Sequence, residues 1–149
     1  MKVLLDANIL IDICGQTEDL SSSFQALDIM LLREDEPCML TCMAPTVCYV
    51  VRSRGYASED AALSVLDRLT RIVPMADVIP ADYADAVTLK MADFEDALLA
   101  SAAKRHEADL ILTRNVKDFK ASPVRAIHPD GFIAQFCPPG YEYGEVAMP

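Results

Sequence analysis

The sequence predicts an α/β domain with an open, mainly parallel central sheet of four to five strands. Short apolar runs, typical of buried strands, alternate with longer segments whose apolar residues recur at helical spacing. No internal repeat or low-complexity segment interrupts this alternation. Carboxylates follow several of the predicted strands, where α/β proteins assemble their sites. Right-handed crossovers through the intervening helices would make the sheet parallel.

The N-terminal third predicts two strands and two helices. The apolar run Val3–Leu5 is the first strand, and Asn8–Cys14 begins a helix after it. Ser21–Arg33 is the second helix, because serines that favour helix starts precede apolar residues at helical spacing. The polar segment Glu34–Pro37 breaks this pattern. Met39–Thr41 then follows as the second strand.

The middle of the chain predicts two further helices and a short strand. Pro45–Ser53 and Ser58–Thr70 are helical segments, and Gly55 separates them. The second of these is opened by Ser58, with two acidic residues in its first turn, which complement the helix dipole. The apolar residues of Ile72–Pro74 predict the third strand.

The C-terminal part predicts a helical pair and the last two strands. Ala81–Met91 and Phe94–Glu107 are the helices, and Leu110–Thr113 and Val124–Ile127 are the fourth and fifth strands. Turn-forming residues fill the end of the chain, with little periodicity. We therefore expect a folded domain over residues 1–137 and a surface tail over residues 138–149.

Length and composition favour one soluble domain. A chain of 149 residues can bury a substantial core without disulfides. No apolar run approaches the roughly 20 residues that a membrane span needs, so we expect a cytoplasmic protein with no membrane partner. The five cysteines lie mostly in apolar stretches and form no CxxC pair, which predicts reduced, buried thiols.

The charge balance excludes one class of function. Thirteen basic against 23 acidic residues give a net charge of −10. Such a chain does not hold nucleic acid mainly by counterion release. Any chemistry on phosphates would instead rely on bound metal cations or on local basic pairs such as Arg114 with Lys117.

Asp6 and Asn8 directly follow the first predicted strand. Asp6 can reach the carboxyl edge of the sheet as a metal ligand, or it can cap the following helix, and these two interpretations are about equally supported. Asn8 is expected to support Asp6 or to bond the backbone. Asp12 is expected to end the short helix or to face solvent.

A second group of acids opens the helix Phe94–Glu107. Asp93 and Asp96 are three residues apart and share a helix face, whereas Glu95 is expected to point elsewhere. Asp93 also fits the role of a helix N-cap. Asp96 lies further into the first turn and is the better candidate for a second metal ligand.

A polar turn follows the fourth predicted strand. Thr113 and Asn115 can bond to a carboxylate or to a metal-bound water, and Asp118 can approach the same edge from the following turn. Together with Asp6 and Asp96 they form a convergent set at one sheet edge. Carboxylate oxygens suit Mg²⁺ or Mn²⁺, which can activate water against a phosphodiester.

Three segments of the chain together resemble the PIN domain, a nuclease fold found in VapC-type toxins of bacterial toxin–antitoxin pairs. The segments are Leu4–Asp12 (LLDANILID), Asp93–Ala97 (DFEDA) and Leu112–Phe119 (LTRNVKDF). They have the family's order and spacing and span nearly the whole chain. The resemblance implies a three-layer α/β/α fold.

The resemblance also implies an activity and partners. It implies a ribonuclease that uses Mg²⁺ or Mn²⁺, forms a homodimer and is inhibited by a small antitoxin. In that case Asp6 and Asp96 would be metal ligands and Asp118 or Asn115 would complete the site. Asn8 and Thr113 would support it. Asp93 or Asp118 would compensate for the negative charge that is lost because this chain has Asn115 where many relatives have Asp.

The chain departs from the family in two places. Family members usually carry a Glu on the helix after the second strand, where this chain has Val47 or Cys48. Asn115 also stands where many relatives have Asp. Losing ligands lowers metal affinity and can leave a single-metal or inactive site.

Two other functions are weighed against the ribonuclease. A catalytically weak PIN-like module would act by binding RNA or a protein partner, as Val47 and the charge of −10 suggest. A phosphatase or phospho-receiver would use Asp6 as a nucleophile. Haloacid-type phosphatases need a second Asp where this chain has Asn8, and a receiver needs an acidic pair that is missing here. This last hypothesis therefore ranks below the others.

Overall fold

A five-stranded parallel sheet forms the centre of the computed structural model, which describes residues 1–144. The predicted α/β class with a parallel sheet is confirmed. Within the described residues, the strands are β1 (Lys2–Leu5), β2 (Glu36–Leu40), β3 (Met75–Ala76), β4 (Leu110–Leu112) and β5 (Ala126–Ile127). The helices are α1 (Ala7–Gly15), α2 (Leu20–Leu32), α3 (Met43–Ser53), α4 (Glu59–Leu69), α5 (Pro80–Thr88), α6 (Phe94–Arg105) and α7 (Pro129–Phe136).

The strand order is β3-β2-β1-β4-β5, and each neighbouring pair is parallel. The chain first builds outward from β1 to β3 and then returns to the other side of β1 with β4. Val3 therefore pairs with Pro37 on one side and with Leu110 on the other. This reversal opens a crevice at the carboxyl ends of β1 and β4.

Two groups of helices flank the sheet. In one group α1 packs on α2, α3 and α4, and α7 packs on α2. In the other group α5 packs on α6. The sheet and the inner faces of the helices bury one continuous core, in which Leu4, Leu5, Ile9, Leu10 and Leu112 are almost wholly inaccessible to solvent.

Local capping explains several helix starts. Ser58 accepts a hydrogen bond from the Ala61 backbone N–H at 3.2 Å, and Glu59 and Asp60 follow in the first turn of α4. Such side-chain acceptors satisfy backbone donors that have no partner within the helix. Asp6 and Asp93 cap α1 and α6 in the same manner, so helix starts and acidic residues coincide.

The predicted third strand is wrong in position. The backbone N–H groups of Ile72 and Val73 donate to the Leu69 carbonyl, so this apolar pair closes the end of α4. Val73 packs into the core from that turn and is wholly buried. The strand begins later, at Met75. Its pairing with β2 starts there, because the Met39 backbone N–H donates to the Pro74 carbonyl.

Two elements near the C-terminus were not predicted. A 3₁₀ helix over Val116–Phe119 follows β4, and α7 follows β5. His128 caps α7 by accepting from the Asp130 backbone N–H through Nδ1 at 3.2 Å, and Pro129 occupies the first turn. Both are ordinary helix-start signals, and Phe132 anchors α7 in the core.

The expected tail over 138–149 is described only in part, since residues 145–149 lie outside the described residues. In the described portion, the Tyr141 hydroxyl donates to Asp28 Oδ2 at 2.7 Å and holds this segment against α2. Within residues 1–144, none of the helices combines the length and apolar character that crossing a bilayer requires.

The expectation of five buried thiols is wrong for part of the set. Cys14 and Cys48 are buried, Cys38 is half-buried, and Cys42 and Cys137 are exposed. All five thiols are free. Cys42 is exposed because it lies in the turn between β2 and α3, at the same edge of the sheet as Asp6.

Candidate functional site

Asp6 lies at the end of β1, almost buried, with both carboxylate oxygens bonded. Oδ1 accepts the Ala7 backbone N–H at 2.6 Å, so Asp6 does cap α1. Oδ2 accepts from the Asn8 side-chain amide and from the Thr113 hydroxyl, each at 2.7 Å. Asp6 therefore caps α1 and also lies at the edge of the sheet. The sequence left these two positions as alternatives.

Asn8 connects the ends of β1 and β4. Its Nδ2 donates to Asp6 Oδ2 and also to Thr113 Oγ1, the latter at 3.1 Å. Its Oδ1 accepts the Arg114 backbone N–H at 3.1 Å. The amide therefore holds the carboxylate and the polar turn after β4 in a fixed relation.

Thr113 is wholly buried at the end of β4. Besides donating to Asp6, its Oγ1 accepts the Asn115 backbone N–H at 3.0 Å. Its own backbone N–H donates to the Ile127 carbonyl of β5. Asn115 has an exposed side chain and makes no capping bond to the 3₁₀ helix that follows it.

The N-terminus of α6 brings a second carboxylate to this edge. Asp93 is the helix cap, and its Oδ1 accepts from the backbone N–H groups of Glu95 at 2.8 Å and Asp96 at 3.2 Å. Asp96 is half-buried. The cap thus fixes the backbone from which the Asp96 carboxylate extends.

Burial and like charges act together on Asp96. The pKa of Asp96 is raised to about 7, mainly by burial and then by the neighbouring carboxylates of Asp6, Asp93, Asp118 and Glu95 in that order. These acids come from the end of β1, the start of α6 and the 3₁₀ helix after β4. The structure therefore places the predicted acids within electrostatic range of one another.

The pKa of Asp6 is also raised, for a more balanced set of reasons. Burial raises it most, and the hydrogen bonds from Thr113, the Ala7 backbone and Asn8 lower it. Those donors favour the ionised carboxylate. Asp6 is consequently a buried carboxylate whose charge is supported by three hydrogen-bond donors.

Glu95 is a residue whose proximity the sequence analysis missed. Its charge raises the pKa of Asp6, Asp96 and Cys42, although it was expected to point away from the site. Glu95 lies directly before Asp96 in the first turn of α6, so its charge acts on the same group of acids. The only available signal was the cluster of acids in one helix start.

The sequence pattern described as the PIN domain matches residues 2–117, more than three quarters of the chain. The chain belongs to the PIN domain family. The resemblance seen in the three segments is thereby confirmed. No curated protein matches the sequence.

Solved structures share the fold of this PIN domain. VapBC2 from Rickettsia felis, bound to a DNA fragment from their promoter, has a TM-score of 0.68 at 19% identity, over 86% of this chain and 98% of that chain. VapBC-1 from nontypeable Haemophilus influenzae has a TM-score of 0.65 at 17% identity, over 87% and 99%. FitAB bound to the IR36 DNA fragment has a TM-score of 0.63 at 18% identity, over 85% and 94%. At these identities the likeness concerns the fold.

The PIN domain lacks an acid on α3. Val47 is wholly buried and Cys48 is 5% exposed, and both belong to the hydrophobic core. Both side chains pack among apolar residues, and neither offers a carboxylate to the site. The acid that relatives carry on this helix has no counterpart at these two positions.

Asp12 was expected to end α1 or to face solvent, and the structure contradicts both. It lies inside the helix and is wholly buried. Thr17 and Ser23 donate their hydroxyls to its two carboxylate oxygens at 2.6 Å, and Arg114 Nη2 lies 3.1 Å from Oδ1. Arg114 also pairs with Asp19. The burial is possible because donors and a cation compensate the charge.

The donor set of the PIN domain fits a hard divalent cation. Mg²⁺ usually keeps several waters and binds one or two protein carboxylates together with substrate phosphates. Within residues 1–144, no three His, Cys, Asp or Glu side chains are grouped closely enough to enclose a metal ion. Two carboxylates, Asp6 and Asp96, with Asp118 nearby, suit such an open, water-rich site.

Proposed function

We propose that this PIN domain is a metal-dependent endoribonuclease and the toxin of a toxin–antitoxin pair. PIN domains are in general nucleases. The observation that carries the proposal is the set of acids acting on Asp96, which leaves several negative charges unneutralised at one edge of the sheet. A divalent cation would neutralise them and would meet the phosphodiester there.

Each residue has a defined role in this proposal. Asp6 and Asp96 would hold Mg²⁺ or Mn²⁺, and Asp118 would complete the site. A bound cation of this kind polarises a phosphodiester and lowers the pKa of coordinated water. No nucleophilic side chain is required.

The remaining polar residues position the carboxylates. Asn8 and Thr113 hold one oxygen of Asp6 in place, and Asp93 fixes the first turn of α6. Asn115 lies exposed beside Asp118 and would contact substrate or a water. Buried support of this type keeps ligands within the narrow tolerance that catalysis needs.

A small antitoxin and a second copy of the chain are the proposed protein partners. The similar structures VapBC2, VapBC-1 and FitAB support the antitoxin, since each is a complex of that kind. The exposed side chains of Tyr49 and Leu63 support a symmetric contact through α3 and α4. Light scattering of the purified chain would measure the homodimer directly.

Cleavage of a mixed RNA pool with Mn²⁺ or Mg²⁺ tests the function. Wild type and Asp67→Asn, an exposed acid on α4, should cleave, whereas Asp6→Asn and Asp96→Asn should not. EDTA should abolish cleavage. A wild type that binds no Mn²⁺ at millimolar concentration would overturn the proposal.

The second candidate function is a catalytically weak module that binds RNA or a protein partner. The buried Val47 on α3 favours it, because a site with one acid fewer has lower metal affinity. Intact Mn²⁺ binding without cleavage of any RNA would support this candidate. RNA turnover that disappears in Asp96→Asn would remove it.

A further inference from the structure

Tyr83 and Phe94 form an exposed aromatic pair beside the carboxylate site. We propose that this pair, here called the aromatic platform, stacks against one or two bases of single-stranded RNA next to the cleaved phosphate. The inference rests on the proposed ribonuclease function. It assigns a base-binding surface to residues outside the predicted site.

The geometry of the pair leaves aromatic surface open. The ring centroids are 5.6 Å apart, and the ring planes meet at 67°, an edge-to-face arrangement. Tyr83 is 59% exposed and Phe94 is 47% exposed. An edge-to-face pair presents the face of one ring next to the edge of the other, and a nucleobase can stack on such a face.

The platform lies next to the acids. Phe94 is the first residue of α6, immediately after the cap Asp93 and two residues before Asp96. A base resting on this ring would belong to a nucleotide close to the proposed metal position. The aromatic platform therefore begins two residues before Asp96, one of the proposed metal ligands.

Buried contacts hold the platform rigid. Arg105 of α6 donates from Nε and Nη2 to the two carboxylate oxygens of Asp82 at 2.8 and 2.9 Å. Asp82 is only 2% exposed and directly precedes Tyr83 on α5. This bidentate pair fixes the first turn of α5, which carries Tyr83, against the last turn of α6.

The charge of the chain favours stacking as the source of affinity. With a net charge of −10, the domain repels a polyanion at long range. Bases carry no charge, and stacking on aromatic rings tolerates any base sequence. The aromatic platform supplies attraction that the carboxylate edge and the overall charge do not.

The size of the exposed patch argues against a second protein copy as its occupant. The open parts of the two rings amount to about 200 Å². A stable protein interface buries about 800 Å² per partner. One or two bases match the smaller area.

RNA binding by inactive variants tests the aromatic platform. Tyr83→Ala and Phe94→Ala are each combined with Asp96→Asn, which prevents cleavage. Fluorescence anisotropy measures binding to a labelled random-sequence 12-nucleotide RNA and to an abasic strand of the same length. Tyr56→Ala is the matched control, because this tyrosine is 44% exposed and has no role in the proposed site or dimer. Phe94→Trp tests rescue by another aromatic ring.

We expect each platform variant to bind the RNA about 5-fold to 100-fold more weakly, the range measured for base stacking. Tyr56→Ala and Phe94→Trp should bind like the parent, and all variants should bind the abasic strand equally. Unchanged RNA affinity in a protein whose wild type cleaves RNA would overturn the platform and leave the ribonuclease standing. A platform variant that turns a dimer into a monomer but keeps its RNA affinity would also overturn the platform. In that case the rings would contact a second copy of the chain instead of RNA. A wild type that neither binds nor cleaves RNA would overturn both proposals.

Discussion

The Thr113 hydroxyl donates to Asp6 Oδ2 at 2.7 Å, joining two residues that are 107 positions apart in the sequence. Both side chains are buried, so water cannot replace the donor. The bond lowers the pKa of Asp6 against the opposing effect of burial. A single hydroxyl thus helps to keep the proposed metal ligand ionised.

Replacing this hydroxyl should weaken both the fold and the site. Thr113→Val removes a buried donor, so the pKa of Asp6 should rise and the free energy of unfolding should fall by about 1–2 kcal/mol. Urea denaturation at pH 8 measures the loss. Thr113→Ser retains the donor, so its free energy of unfolding should fall by no more than half as much. Equal destabilisation by both variants would mean that packing, not the bond, is responsible.

The metal-free protein should lose stability as the pH rises towards neutrality. The pKa of Asp96 is about 7 in the folded state and 3.8 in the unfolded chain. Between these values the folded state binds the extra proton, so the free energy of unfolding falls with increasing pH. Urea denaturation in EDTA at pH 5 to 8 measures this trend. The trend should be much weaker in Asp96→Asn, and parallel profiles would contradict the prediction.

Mn²⁺ binding should show the opposite dependence on pH. A carboxylate must release its proton to bind the ion, so the affinity should increase as the pH passes through about 7. Below about pH 7 the affinity for Mn²⁺ should increase nearly tenfold for each pH unit, because one proton is released when the ion binds. Calorimetric titration with Mn²⁺ at several pH values checks this. A constant affinity from pH 6 to pH 8 would show that Asp96 does not control binding.

Neutralising Glu95 should lower the pKa of Asp96 and of Asp6. Its like charge raises both, although it is the smallest of the named contributions to Asp96. NMR titration of the carboxyl carbons in Glu95→Gln measures the direction. Glu107→Gln is the control, because Glu107 lies beyond the far end of α6, roughly 18 Å away. A matching shift in the control would rule out a local effect.

Removing Arg114 should destabilise the domain. Asp12 would keep the hydroxyls of Thr17 and Ser23 but lose the cation that compensates its buried charge. We expect Arg114→Ala to lower the free energy of unfolding by about 2 kcal/mol, since Arg114 itself is partly exposed. Arg54→Ala, an exposed arginine near Arg114, should change it by less than about 0.5 kcal/mol. Similar losses in both would indicate a general charge effect.

Parts of the fold follow directly from local sequence. Strand β1 combines a continuous apolar run with an acid at its end, and α4 and α6 begin with side chains that cap them. These signals are local, so a single sequence contains them. The closeness of Asp6 and Thr113 could also be expected, because neighbouring parallel strands end at the same edge of a sheet.

Other features depend on contacts between distant residues. Ile72 and Val73 have the apolar character of a strand, yet hydrogen bonds to Leu69 place them in the turn after α4. Asp12 resembles a surface acid until Arg114, 102 residues later in the sequence, is brought against it by β4. Local periodicity carries no information on such pairings. Which distant residues come into contact is decided by the burial of the whole core.

The strand order has a consequence for synthesis of the chain. Strands β1, β2 and β3 and helices α1 to α4 can associate early, but β4 enters the sheet beside β1 only after residue 110 has been made. Until then Asp6 lacks Thr113, which is made only after the whole of α6. A nascent chain emerging from the ribosome therefore carries no assembled acidic edge for most of its translation. The topology delays the assembly of this acidic edge until about three quarters of the polypeptide exists.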